Sequence, residues 1–296
     1  MKRKFKRRVV YLFSRVIAAF LSFLPMRLTV LAGGCLGIFG FYILKRHRLA
    51  TLENLKFAFE KEKSAKEIYS IARDVFMNLG KGLAEFISFP KINKFNIDRF
   101  VTPCGIEKID EALRQKRGVI AIACHLGNWE LEAAYFGLNG YPANTIVRPS
   151  RYESYDRFIN SIRRSKNVNI IPREHSFKKL LSILKENQII GILPDQDIDS
   201  VAGVFVDFFG RKAYTPIGPV LLAIASKSPL FPVFCIRQNG THRLIVEDPI
   251  ELEITGDKEK DIVVNTQKWS RVVERYIRQY PQQWVWMHKR WKTQQK

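Results

Sequence analysis

The residues in this chain best suited to chemistry are His125 and Glu130, five positions apart in the stretch His125-Leu126-Gly127-Asn128-Trp129-Glu130. Histidine changes charge near neutral pH, and a carboxylate on one imidazole nitrogen fixes the tautomer and raises the basicity of the other. A ring so prepared can take the proton from an attacking hydroxyl as a general base. If that hydroxyl attacks an acyl thioester directly, the protein needs no covalent nucleophile. The thioester oxygen then becomes an oxyanion, and fixed donors around it matter most to the rate. The backbone N–H groups at the start of the helix after Gly127 are candidate donors. Cys124 precedes His125, but adjacent residues on a strand face opposite ways, so Cys124 is expected in the core rather than as a thiol nucleophile.

The elements around this pair follow from hydropathy. Gly118 to Cys124 is a short apolar run that reads as a buried strand. His125 therefore sits where a strand ends, and ligands of open α/β sheets bind beyond the carboxyl ends of strands. Asn128 is a candidate N-cap for a helix from Glu130 to Leu138. The strand-turn-helix joint is expected to fold the Glu130 carboxylate back onto the His125 ring. Helical and extended stretches then alternate: strand 144–147, helix 155–166, strand 168–171, helix 177–186, strand 189–193, the run 204–209, helix 218–226, strands 230–236 and 242–246, and helix 262–280. This alternation predicts an α/β fold, a mixed, mostly parallel sheet flanked by helices. Residues 49–90 read as helical.

Charge and hydropathy set a second constraint. The net charge is +21, and residues 1–50 supply eleven Lys or Arg with no Asp or Glu while being the most apolar part of the chain. A basic and apolar segment suits an anionic bilayer; a nucleic-acid arm is usually basic and polar. Two apolar stretches, Val9 to Leu24 and Leu28 to Leu44, are separated by Pro25 and Arg27, and basic residues flank the second on both sides. Its 17 residues are at the short end for crossing a bilayer. The segment is expected to anchor the protein to membrane phospholipids, spanning or lying at the interface. The four cysteines are far apart and form no C-x-x-C pair, so neither a zinc cage nor a disulfide framework is expected.

Several motifs together carry a resemblance. Ala123-Cys-His-Leu-Gly-Asn-Trp-Glu130 is similar to the His-x-x-x-x-Asp/Glu motif of the glycerolipid acyltransferase superfamily, and its Gly-Asn-Trp-Glu wording resembles the lipid A biosynthesis lauroyl/myristoyl acyltransferase family. Further matches follow in that family's order: Val147-Arg148-Pro149, Arg163-Arg164, Leu193-Pro-Asp195-Gln196-Asp197, Val204 to Arg211 with Thr215-Pro216, Phe231-Pro-Val-Phe234, and Tyr280-Pro-x-x-Trp-x-Trp-x-His-Lys-Arg-Trp-Lys292. They span about residues 100–292. The resemblance implies transfer of a fatty acyl chain from acyl carrier protein or acyl-CoA to a hydroxyl of a phosphorylated glucosamine lipid. It implies His125 as base with Glu130 as its partner, one of Arg163 and Arg164 on phosphate or oxyanion, and Asp195 completing the pocket. Asn128, Arg148, Gln196 and Arg211 are the remaining candidate binding residues. No metal or cofactor is implied. The expected organisation is a membrane anchor over 1–48 and an acyltransferase domain over 49–296, at the cytoplasmic face of the inner membrane.

Other functions use the motifs less well. Neither G-x-G-x-x-G nor G-x-x-x-x-G-K-[ST] occurs, as a nucleotide enzyme would need, and G-x-S-x-G is absent. A basic membrane or nucleic-acid binding protein accounts for the charge but leaves the His–Glu joint and Pro194-Asp-Gln-Asp197 idle; nucleic acid is not an expected partner. Within the enzyme reading, a phosphatidylinositol mannoside or a lysophospholipid is the alternative acceptor. Trp284, Trp286 and Trp291 fit either a membrane interface or an aromatic cluster packed on the sheet, and Phe208-Phe209 reads as core.

Overall fold

The computed structural model describes residues 23–149, 152–174 and 177–295. The basic run 2–8 and nearly all of the first apolar stretch lie outside the described residues. Three helices open the described chain: α1 (Met26–Ile43), α2 (Lys45–Phe59) and α3 (Ala65–Ile87). An alternating series follows: β1 (Val101–Cys104), α4 (Glu107–Arg114), β2 (Val119–Ile122), α5 (Trp129–Leu138), β3 (Ala143–Val147), α6 (Glu153–Arg164), β4 (Asn169–Pro172), α7 (Phe177–Lys185) and β5 (Ile189–Ile192). The hairpin β6 (Gly203–Phe208) and β7 (Arg211–Pro216) interrupts it, before α8 (Gly218–Ser226), β8 (Leu230–Gln238), β9 (Thr241–Val246) and α9 (Lys258–Gln279).

Among the described residues the main sheet has seven strands in the order β1-β9-β8-β2-β5-β3-β4. Only β8 and β9 pair antiparallel; the other neighbours are parallel. The sheet is thus mixed and mostly parallel, as the alternation of elements predicts. β2 reads Val-Ile-Ala-Ile and is buried throughout, the composition required of a strand covered on both faces. One core, with Ile120, Ile122, Phe234 and Trp269, lies on one side of the sheet, and another, with Val119, Leu131, Phe136 and Val233, lies on the other.

Two features escape the hydropathy reading. Val101–Cys104 is an edge strand that contains Pro103, and β1 pairs only with β9; proline is tolerated at such an edge because the missing N–H costs no interior ladder bond. The run 204–209 belongs to an antiparallel hairpin whose second strand starts at Arg211, and this pair forms a sheet of its own.

The aromatic C-terminal segment packs inward. Trp284 and Trp286 are 1% and 0% exposed and meet edge to face at 4.7 Å. Phe208 and Phe209 are buried against them, so of the two arrangements open for these tryptophans the core cluster is the one realised. Asn54 of α2 holds the segment by donating to the carbonyls of Trp286 and His288, at 2.6 and 2.8 Å.

α1 combines an apolar sequence with low burial: Leu28, Leu31, Leu36, Phe39, Tyr42 and Ile43 are exposed. It is the one helix among the described residues long and apolar enough to cross a membrane. Its other face lies against α3 through glycine. A Cβ on Gly80 would come within 2.1 Å of the Gly33 carbonyl oxygen and 2.9 Å of Gly37 Cα. Small residues four apart allow such an approach of two helices. The capping box of Ser64 and Glu67 starts α3 independently of that contact. Gly80→Val is therefore expected to lower stability by about 1–3 kcal/mol, the usual cost of overpacking; a melting temperature in detergent equal to that of the unaltered protein would refute this close packing.

Candidate active site

β2 and β5 are parallel neighbours in register, with Ile122 opposite Ile192. His125 lies three residues beyond one strand and Asp195 three residues beyond the other. Parallel pairing therefore delivers both side chains to the same edge of the sheet, at the carboxyl ends of its central strands. His125 Nδ1 and Asp195 Oδ1 are 2.8 Å apart, and the His125 backbone N–H donates to Asp195 Oδ2 at 2.9 Å. Trp284 Nε1–H donates to the same oxygen at 2.8 Å. The Asp195 side chain is 1% exposed and that of His125 24%, so a buried carboxylate holds a ring that reaches solvent.

Burial pushes the Asp195 carboxyl up, but the His125 ring, the Trp284 N–H and the His125 backbone N–H outweigh it and hold the group below the usual carboxylate range. The carboxylate engages Nδ1 and leaves Nε2 as the ring nitrogen that can face a reactant. Trp129 borders the ring, with centroids 5.1 Å apart. Burial also lowers the pKa of His288 on the neighbouring C-terminal segment, which favours a neutral second imidazole.

This corrects the expected partnership of His125. The carboxylate on the ring belongs to Asp195, and Glu130 turns instead to Arg163. Arg163 Nε–H donates to Glu130 Oε2 at 2.9 Å, and Nη2 pairs with Oε1. The helices explain the choice. Glu130 is in the first turn of α5 and Arg163 in the last turn of α6, where the helix dipoles favour a negative and a positive charge respectively. The two side chains are 17% and 19% exposed, and Arg163 also donates to Asn160 Oδ1. Of the arginine pair, Arg163 faces the site region and Arg164 is exposed.

The turn between strand and helix is fixed on all sides. Gly127 has φ +67°, and a Cβ there would fall 2.0 Å from the Cys235 carbonyl oxygen, so the turn requires glycine. The Gly127 N–H donates to the Gln283 carbonyl, the Asn128 N–H to the Cys235 carbonyl, and the Val285 N–H to the His125 carbonyl. Of the backbone donors that follow Gly127, the Asn128 N–H is therefore already engaged. The N–H groups of Trp129 and Glu130, at the amino end of α5, have no intrahelical acceptor and remain suited to that task.

The remaining candidates separate by position. Asn128 is 4% exposed; its Oδ1 caps the Leu131 N–H at 3.0 Å and its Nδ2 donates to Glu85 at 2.7 Å. It shapes the turn and does not line a groove. Gln196 is half-buried between Asp195 and the buried Asp197, which receives two hydrogen bonds from Thr293. Arg148 is exposed after β3. Arg211 opens β7 and lies over the Phe57 ring, 3.1 Å from its centroid, a contact that accounts for it without a ligand. Cys124 is buried, with its thiol pushed well up by burial first and by the charges of Asp195 and Glu132. Sequence reasoning missed Trp284 as a donor to Asp195. The missed signal was that a buried tryptophan must place its N–H on some acceptor.

Comparison with known proteins places the chain among acyltransferases. The family model described as bacterial lipid A biosynthesis acyltransferase matches residues 2–293. The chain is 28% identical over 264 residues to the lipid A biosynthesis lauroyltransferase of Escherichia coli K12, covering 88% of this chain and 84% of that protein. It is 24% identical over 279 residues to the lipid A biosynthesis palmitoleoyltransferase of the same organism, covering 91% and 87%. A phosphatidylinositol mannoside acyltransferase of Mycolicibacterium smegmatis is 28% identical over 212 residues, covering 70% and 67%.

Replacing Asp195 by Asn tests the dyad. It keeps the shape and removes the charge that selects the tautomer, and acyl transfer is expected to fall by roughly 10³–10⁴-fold, the scale of such a change in a hydrolase triad. Because the folded carboxyl titrates below its ordinary range, its charge adds stability at neutral pH that fades as acid protonates it. The stability gap between the parent and Asp195→Asn should therefore narrow in acid, which chemical denaturation across pH would read; a gap independent of pH would refute it. The match across nearly the whole chain identifies its kind: the protein belongs to the bacterial lipid A biosynthesis acyltransferase family.

Proposed function

We propose that this acyltransferase moves a fatty acyl chain from an acyl thioester to a hydroxyl of a lipid A precursor, with His125 as general base. The observation that carries the mechanism is the 2.8 Å contact between His125 Nδ1 and the buried Asp195. The acceptor hydroxyl approaches Nε2 and its oxygen attacks the thioester carbonyl carbon. As the C–O bond forms, the proton passes to Nε2, and the imidazolium is stabilised by Asp195. The tetrahedral oxyanion lies near the amino end of α5, where the N–H groups of Trp129 and Glu130 are the available positive ends. Collapse breaks the C–S bond, and the thiolate takes the proton from His125. Ester and free thiol are the products, and the enzyme returns to its starting protonation state.

The net charge of +21 supports an acidic donor and an anionic acceptor. We assign acyl carrier protein as donor and a phosphorylated glucosamine lipid as acceptor, with the exposed Arg148 and Arg164 as cations for its phosphates. The relative that is a phosphatidylinositol mannoside acyltransferase favours that lipid as the second acceptor to test. The division into an anchor over 1–48 and a catalytic unit over 49–296 is part of the same reading. α1 presents an apolar face with Arg27 at one end and Lys45, Arg46 and Arg48 at the other, as suits a helix among lipid headgroups. Because α1 is held along α3, which carries Lys66, Arg73, Asp74 and Lys81, the helix suits the cytoplasmic interface of the inner membrane better than a free span.

Detergent-solubilised enzyme given acyl carrier protein thioester or acyl-CoA, and either a lipid A precursor or a phosphatidylinositol mannoside, should form an ester of the first acceptor by mass spectrometry. Transfer to the second acceptor alone would move the assignment to the other lipid. His125→Ala should lower turnover by roughly 10³-fold, within the span for a general base, and turnover near that of the parent would end the mechanism. Removal of residues 1–48 should shift the protein out of the membrane fraction.

A further inference from the structure

Behind the catalytic loop lies a buried carboxylate that the reaction itself does not use. Glu85 is in the last turn of α3 and is 5% exposed. Its Oε2 accepts from Arg237 Nη2 at 2.7 Å and from Asn128 Nδ2 at 2.7 Å, and its Oε1 accepts from Arg237 Nη1. His242 Nε2 lies 3.5 Å away and is itself buried. Burial raises the pKa of Glu85, yet Arg237 and His242 bring it down to about 2, so the group is charged at every working pH.

The partners of Glu85 are joined to the active loop by a closed set of bonds. The Arg237 backbone exchanges two hydrogen bonds with the Gln283 side chain, both at 2.9 Å. Gln283 accepts the Gly127 N–H on its backbone carbonyl. Asn128 caps α5, the helix that opens with Trp129 against His125 and Glu130 against Arg163. A buried ion pair is a poor source of stability beside an apolar replacement, because desolvation offsets the attraction. It does fix directions, since a forked guanidinium–carboxylate pair tolerates one geometry.

We propose that Glu85 is a positioning residue for acyl transfer: anchored by Arg237, its carboxylate holds the Asn128 amide, and Asn128 sets the turn that places His125 and the amino end of α5. The proposal rests on the reading of His125 and Asp195 as the catalytic dyad. Glu85→Gln keeps the volume but puts an amide NH₂ among donors. Asn128→Ser keeps a capping oxygen and is too short to reach Glu85. Each is expected to lower kcat by about 10–100-fold, the scale of a displacement near 1 Å in a reacting geometry. KM for the thioester should change by less than about threefold, since both residues are buried away from solvent. The two act through one bond, so the double variant should lose no more than the worse single one.

The experiment measures kcat, KM and melting temperature for the parent, the two single variants, the double variant and His125→Ala, all in detergent with acyl carrier protein thioester. A folded Glu85→Gln enzyme with the parent's kcat overturns the proposal, and so do losses that multiply in the double variant. A lower melting temperature with unchanged kcat per folded molecule would make Glu85 structural only, which also overturns it. If Glu85→Gln does not fold, Asn128→Ser decides alone: the parent's kcat refutes the proposal and a selective loss in kcat supports it. An active His125→Ala would sink the dyad instead, so the two failures are told apart.

Discussion

The hydrogen bond between His125 Nδ1 and the Asp195 carboxylate depends on the sheet more than on either residue. It exists because β2 and β5 run side by side in the same direction and stop at the same level. Separating β2 from β5 by another strand would part the two side chains. The contact is also protected from below, where the core under Ile120 and Ile190 is fully buried, and from the side, where Trp284 closes the carboxylate from water. Inside such a dry wall the charge on Asp195 acts on the imidazole with little screening.

Three charge pairs lie around this contact. Glu130 faces Arg163 across two helix ends, Glu85 faces Arg237 beneath the loop, and Lys292 reaches Asp199 at the outer rim. Each pair cancels one positive charge of a strongly basic chain close to that edge of the sheet. Pairing also leaves the surplus of Lys and Arg on the outside, where an anionic surface can meet it.

Much of this was legible in the sequence. The buried strand before His125, the cap at Asn128 and the alternation of strands and helices follow from local rules, because each is written within a dozen residues. The motif order gave Asp195 a place in the pocket, and Arg163 stood among the candidates. What local reading could not supply was the partner of His125. Glu130 is near in sequence, whereas Asp195 is near only after β5 has found β2, and no periodicity encodes that encounter. The same limit hid Glu85, a carboxylate on an otherwise ordinary amphipathic helix whose partners lie 43 and 152 residues away. Trp284 was ambiguous for another reason: an aromatic beside basic residues satisfies the rules for a lipid interface and for a core equally well.

The place of Trp284 in the chain has a consequence for how the enzyme comes into being. Every strand of the sheet is complete by Val246, and a ribosome that has made residues up to 280 has produced both members of the dyad. It has not produced the indole that caps Asp195, the Val285 amide that grips the His125 carbonyl, or the Gln283 carbonyl that receives Gly127. The strands that bring His125 and Asp195 together are thus specified upstream of the segment that closes their edge of the sheet. Shortening the chain before Gln283 would therefore leave every strand of the sheet encoded while removing three of the bonds that hold the turn and the carboxylate in place.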